Sequence, residues 1–214
     1  MASPSLTFAL IGRSECDLAA IADFLSIEAT TIITDEPARE FSSAIADLAV
    51  KSDLTFFCIH AQIGVDPQLI AAWSIAAEYQ LPRAILITGL TEGDVDFDDI
   101  ILICERVLDP VITPYLILHN ELGKPCGVIS LDDHSTIDYS TTPPTYASAD
   151  QELIDIVSDF RTEYVERCEE FGLSGVQDGL TFPALPIVCD RRQPGYGIGL
   201  NEVTKIINVV SSRQ

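Results

Sequence analysis

The chain has 214 residues, 47% of them apolar, and a formal net charge of −21 from 12 basic and 33 acidic side chains. That length buries a full core with room for one small insertion, and the apolar content excludes a disordered chain. The charge argues against direct nucleic-acid binding and against an anionic membrane surface, since both need clustered Lys and Arg, and no apolar run has the length of a membrane span.

In chain order, Leu6–Ile11 reads as a first strand closed by Gly12. Ser14 is the expected N-cap of a helix over Glu15–Leu25, with Glu15 and Asp17 in its first turn. Thr30–Thr34 is a β-branched strand, and Glu40–Lys51 a helix with Phe41, Ile45 and Leu48 at core spacing. Leu54–Ile59 is an apolar strand. Gly64 and Pro67 turn the chain into a helix, and Pro82 opens a further strand to Thr88. Asp96 caps a helix over Phe97–Leu108. Tyr115–His119 and Gly127–Leu131 are two strands around a Gly123-Lys-Pro125 turn. The Asp-, Ser-, Thr- and Pro-rich stretch 132–148 reads as a loop, and Asp150–Phe171 as one long amphipathic helix. Leu185–Cys189 is a last strand, followed by a Pro/Gly loop and a helix over Asn201–Val210.

Alternating strands and helices predict a three-layer α/β/α sandwich on a mostly parallel sheet, with a small inserted β-containing subdomain in which residues 113–140 form an outlying two-stranded unit packed on the helix at 151–171. The expected division is a first core part over 1–109, the insertion over 110–149, and the long helix, last core strand and C-terminal helix over 150–214. The expected parallel core has five strands, with 30–34 at an edge that either is a contact surface, as a homodimer seam or a dock for a partner strand, or is covered by the 35–40 loop or the N-terminal residues.

Residues 53–83 carry a resemblance. Asp53, Gly64, Val65, Pro67, Gln68, Trp73, Tyr79, Pro82 and Arg83 match the wording of the GTP-binding domain of translation elongation factor G. Asp109-Pro-Val-Ile-Thr-Pro114, Gly127-Val-Ile-Ser-Leu131, the helix from Asp150 and Pro186-Ile-Val-Cys189 extend it through the chain. The resemblance implies a P-loop GTPase-like fold with an insertion inside it.

The nucleotide motifs of that family do not follow. A phosphate loop needs Gly-x-x-x-x-Gly-Lys-Ser/Thr, so that backbone N–H groups and a Lys close on the phosphates. Here Gly12-Arg13-Ser14 runs into Glu15 and Asp17. The readings are Arg13 as a substitute cation or, preferred, a plain helix N-terminus. The span between first strand and the helix near Glu40 is too short for the family's first switch. Its second switch falls on Thr34-Asp35-Glu36-Pro37, with Ala38 where the water-positioning His belongs. Thr88, Gly89 and Thr91 stand where guanine is read by Asn-Lys-x-Asp, and Arg191-Arg192-Gln193-Pro194 where the last loop reads Ser-Ala-x-Lys. Arg191 and Arg192 form a new anion site or, more commonly for adjacent loop arginines, a solvated pair.

Other motifs are weaker. Asp94, Asp96, Asp98 and Glu105 fit part of a calcium loop, but Asp99 takes the place of its turn glycine, which favours a capped helix. Asp132-Asp133-His134 is a metal candidate set against a polar loop, and Gly195-Tyr-Gly197-Ile-Gly199 lacks the dinucleotide spacing. His60 and His119 end apolar strands with no nucleophile paired to them. The six cysteines form no Cys-x-x-Cys pair, so reduced thiols are expected.

The expectation is a cytoplasmic pseudo-GTPase without cofactor or metal, no enzyme, working through a protein partner. The alternative is a divergent GTP-binding translation-factor-like GTPase that uses Arg13, Arg191 and Arg192. The vestigial pocket positions are Gly12, Arg13, Ser14, Thr88, Gly89, Thr91, Arg191 and Arg192.

Overall fold

The computed structural model describes residues 6–35, 41–168 and 172–212. Glu36, Pro37, Ala38, Glu40 and Phe171 lie outside the described residues, as does the side chain of Phe41.

Runs that are apolar on both alternating faces suit strands buried from both sides. A parallel sheet has five strands, four of them buried along their length and β2 half-exposed: β1 (Phe8–Gly12), β2 (Ala29–Ile33), β3 (Leu54–His60), β4 (Arg83–Thr88) and β9 (Ala184–Pro186), in the order β2-β1-β3-β4-β9. Phe56 and Phe57 are adjacent in β3, both fully buried, and face opposite cores. On one side lie α1 (Leu18–Leu25) and α7 (Leu200–Ser211), with Ile21, Val203 and Ile206 against Leu10, Phe56 and Leu86. On the other lie α2 (Phe41–Lys51), α3 (Pro67–Glu78) and α4 (Phe97–Val107), with Ile45, Trp73 and Ile100 against Ile11, Phe57 and Ile87. The expected five-stranded parallel core is present, and β2 is its edge.

Asp96 caps α4 as expected, taking the N–H of Asp99. Ser14 does not cap α1. Residues 14–16 make a 3-10 turn, and Asp17, in the left-handed region, caps α1 by accepting from the N–H of Ala20. The last core strand is shorter than Leu185–Cys189, because Val188 turns away to bond with the loop at Gly197 and Ile198.

The insertion departs most from expectation. Four strands form a second, antiparallel sheet: β5 (Tyr115–His119), β6 (Pro125–Ser130), β7 (Ser135–Asp138) and β8 (Thr145–Ser148). The stretch 132–148 is therefore not a loop. Its polar strands pair because β6 offers a free ladder, with Val128 opposite Ile137, while β8 stays exposed along its length. The single helix expected over Asp150–Phe171 is two, α5 (Gln151–Ile156) and α6 (Ser158–Cys168), broken at Val157.

The second sheet also does not stand apart from the body. Leu116 and Ile129 pack on Val157 and Tyr164 of the helix pair, which was expected. Tyr115, Val128, Ile137 and Tyr139 pack the opposite way, into the core under α7. Tyr139 donates its hydroxyl to the buried carboxylate of Glu202, 3.2 Å from both oxygens, and Glu202 also takes the Gly199 N–H at 2.9 Å. Burial raises the pKa of the Glu202 carboxyl and pushes that of the Tyr139 hydroxyl up as well.

Several residues that carry the resemblance have structural work. Arg83 is 2% exposed, its guanidinium between the rings of Trp73 and Phe182 and 3.3 Å from Asp109. Asp109 also accepts the Trp73 indole N–H at 2.7 Å. Asp66 caps α3, with Pro67 at its first position.

Candidate functional site

In an open parallel sheet, ligand sites form where strand ends diverge at the carboxyl edge. Here that place lies between β1, whose next element runs to β2, and β3, whose next element runs the other way to β4. A cleft of about 640 Å³ opens there, lined among others by Glu15, Cys16, His60, Thr88, Gly89 and Glu92. Of the eight positions singled out from sequence, Thr88, Gly89, Arg191 and Arg192 line it; Gly12, Arg13, Ser14 and Thr91 do not.

The turn after β1 satisfies its own polar groups. Gly12 is needed because β1 lies so close to β3 that a Cβ would stand 2.6 Å from the carbonyl oxygen of Cys58. Arg13 pairs with Glu15 at 3.1 Å and lies 3.9 Å from Asp35. The Ser14 N–H donates to Asp35 at 2.8 Å and its hydroxyl donates to the same carboxylate at 2.6 Å. The Ser14 hydroxyl, and after it the Ser14 N–H, hold the Asp35 carboxyl below its ordinary pKa, and Arg13 does the same for Glu15. The N–H groups of Cys16 and Asp17 turn back to the carbonyls of Arg13 and Ser14. Carboxylates of the chain itself thus take the Ser14 and Arg13 donors, and its own carbonyls take the Cys16 and Asp17 N–H groups.

The β3 and β4 ends meet at a histidine. His60 is 8% exposed, its Nε2 3.2 Å from Glu92, which also receives the Gln193 amide at 3.2 Å. Gly89, at φ +70°, runs directly beneath the imidazole; a Cβ there would come within 2.3 Å of the ring. So Gly89 is required by His60, not by a ligand. Gln62 clamps the 89–95 loop, donating to the carbonyls of Gly89 and Val95 and accepting the Val95 N–H. Sequence reasoning missed Glu92, Gln62 and Gln193. These are single polar residues on loops whose partners lie far along the chain, and no spacing signal marks them.

On the β9 side, Asp190 holds Arg192 at 2.8 Å and accepts its backbone N–H, which raises the pKa of the guanidinium and lowers that of the carboxyl. Arg191 lies 5.6 Å over the Tyr196 ring. The cleft therefore carries the acids Glu15, Asp17, Glu92 and Asp190 against Arg191 and Arg192.

The thiols are not poised as nucleophiles. All six cysteines are free. Burial pushes Cys16 up to about 11 and Cys104 to about 12, and raises Cys58 well above the ordinary value. Among the described residues, no three His, Cys, Asp or Glu side chains are grouped to hold a metal ion. Asp132 accepts the Tyr164 hydroxyl, Asp133 accepts from Ser135, and His134 takes a left-handed turn between β6 and β7. Among the described residues no helix is long and apolar enough to cross a membrane.

No protein-family model matches this chain, and no curated protein matches it. Among solved structures it is similar to ttk003000868 from Thermus thermophilus, with a TM-score of 0.70 and 18% identity over 96% of this chain. The chain spans 40% of the length of that protein. At this identity the likeness shows the fold: an α/β architecture with a five-stranded parallel sheet beside a four-stranded antiparallel one.

Proposed function

We propose that this chain is a pseudo-GTPase with the architecture of the elongation factor G GTP-binding domain, acting as a protein-interaction or regulatory module. Three features support the P-loop GTPase-like reading. The strand order is that of such a sheet with its antiparallel edge strand removed, the cleft lies at the carboxyl ends of β1, β3 and β4, and the insertion precedes β9. The six free thiols suit a reducing, cytoplasmic setting.

The observation that carries the loss of nucleotide binding is the Ser14–Asp35 pair. A phosphate-binding turn presents its N–H groups to the ligand. Here Asp35 takes the Ser14 N–H and hydroxyl, and Glu15 and Asp35 flank Arg13. Each charged hydrogen-bond partner is worth roughly 1.5–3 kcal/mol. Losing the phosphate lysine, the magnesium ligand and the guanine carboxylate together lowers affinity by about three decades or more. The alternative, a divergent GTPase using arginines, needs Arg13 and Arg192 to leave Glu15 and Asp190.

The test is titration calorimetry with GTP and GDP in excess magnesium. No heat of binding is expected up to millimolar nucleotide. Micromolar affinity would sink the pseudo-GTPase reading in favour of the alternative.

A further inference from the structure

The two edges of the parallel sheet are treated differently. Beyond β9, the chain at Ile112 closes the ladder: its N–H donates to the Phe182 carbonyl, and its carbonyl accepts the Ala184 N–H. Beyond β2, no strand pairs among the described residues. The Thr34 N–H bonds back to the Gly12 carbonyl, and a parallel ladder alternates, so the N–H and C=O groups of Thr31 and Ile33 face outward.

This edge lacks the usual protections. Ala29–Ile33 has no charge, no proline and no break in register against β1. A groove of about 410 Å³ runs between it and α2, lined by Thr30, Ile32, Ala44 and Leu48, and by Asp47 and Lys51, which lie 4.0 Å apart. Acids stand at both ends of the strand, the exposed Glu28 before it and Asp35, whose carboxylate also accepts from Ser14, after it. A second copy pairing antiparallel about Thr31 would bring Glu28 of one chain beside Thr34 and Asp35 of the other, between bodies of charge −21 each. That argues against a homodimer seam and for an occupant of opposite charge.

We infer that the β2 edge is a strand-addition site for an extended segment of a basic protein partner, with apolar side chains at alternate positions over the α2 groove and Lys or Arg at its ends. The inference rests on the reading that this chain works through protein contacts. Backbone pairing supplies the affinity of such a site, and the groove and flanking acids supply the selection.

The probe is a synthetic peptide of alternating valine and threonine flanked by lysines, beside the same centre flanked by glutamates. Fluorescence anisotropy should show the lysine peptide binding and weakening as salt rises. Amide exchange at Thr31 and Ile33 should slow by about tenfold or more on binding. Thr31→Pro removes only an outward N–H and should abolish binding, whereas proline at Ile32 would break the bond to β1. Should Thr31→Pro fail to fold, the exchange measurement on the unaltered protein decides. The inference is overturned if neither peptide binds, if both bind equally, if Thr31 and Ile33 are already protected in the free monomer, or if protection follows self-association. Nucleotide calorimetry on the same samples separates the two ideas: nucleotide binding overturns the pseudo-GTPase reading, and peptide failure without it overturns the edge alone.

Discussion

The parallel and antiparallel sheets are stabilised in different ways. In the parallel sheet β1, β3 and β4 are buried along their length and mostly apolar on both faces. The antiparallel sheet is apolar in β5 and β6 and largely polar in β7 and β8. It joins the body through packing under α7 and through one buried polar knot, Tyr139, Glu202 and Asn201. The difference shows that an inserted sheet becomes part of one body by sharing a core, even where half of its strands bury little. The same contrast separates the two strand-end turns. At β1, the exposed Asp35 carboxylate takes the Ser14 N–H. At β9, a buried carboxylate takes the Gly199 N–H and couples it to the second sheet.

The sharpest test of this contrast is Phe57→Ala in β3. It removes a ring 4.9 Å from Trp73 in a fully buried site, and a loss of about 3–5 kcal/mol is expected from denaturant midpoints. A loss below about 1 kcal/mol would mean that the parallel core does not carry most of the stability. Asp109→Ala comes next. It strands the buried Arg83 guanidinium and the Trp73 indole N–H, at an expected cost of about 2–3 kcal/mol. The near-isosteric control Asp109→Asn, which still accepts from Trp73, should recover part of that.

Tyr139→Phe probes the joint between the sheets. It leaves Glu202 without its hydroxyl donor and should cost about 1–2 kcal/mol. Both sheets should still unfold in one transition, seen by hydrogen exchange at Ile85 and Ile129 in step. Two separated transitions would break the picture of a single body.

The mildest effect belongs to the exposed turn before β7. The Ser135 hydroxyl, and after it the Ser135 N–H, hold Asp133 down to about 2. Its folded pKa lies below the unfolded one, so the unfolded state binds more protons in the window between them. Its contribution is therefore present above about 4 and fades as pH falls toward 2. Asp133→Asn should lower the melting temperature slightly above about pH 4 and leave it nearly unchanged near pH 2, so that the acid limb flattens in a pH series of melting curves.

Local sequence carried much of this architecture. Apolar runs at 54–59 and 84–88 need no context to read as buried strands, and Asp96 before an apolar-periodic stretch reads as a cap. The five-strand parallel core, its β2 edge and the packing of the insertion on α5 and α6 were legible for that reason. Strands β7 and β8 were not, because their pairing comes from β6 and their own residues look like a loop. Capping by Asp17 in place of Ser14 was decided by Asp35, which reaches across from the end of β2. The candidate site divides along the same line. The sequence alone determined which residue types stand at the strand ends, since those types follow directly from the order of the letters. Only the tertiary structure decided their partners: Glu15 and Asp35 for Arg13, Asp190 for Arg192, Glu92 for His60 and the His60 ring for Gly89. Side-chain pairing across loops depends on distances that the packed sheet sets and that spacing along the chain does not encode.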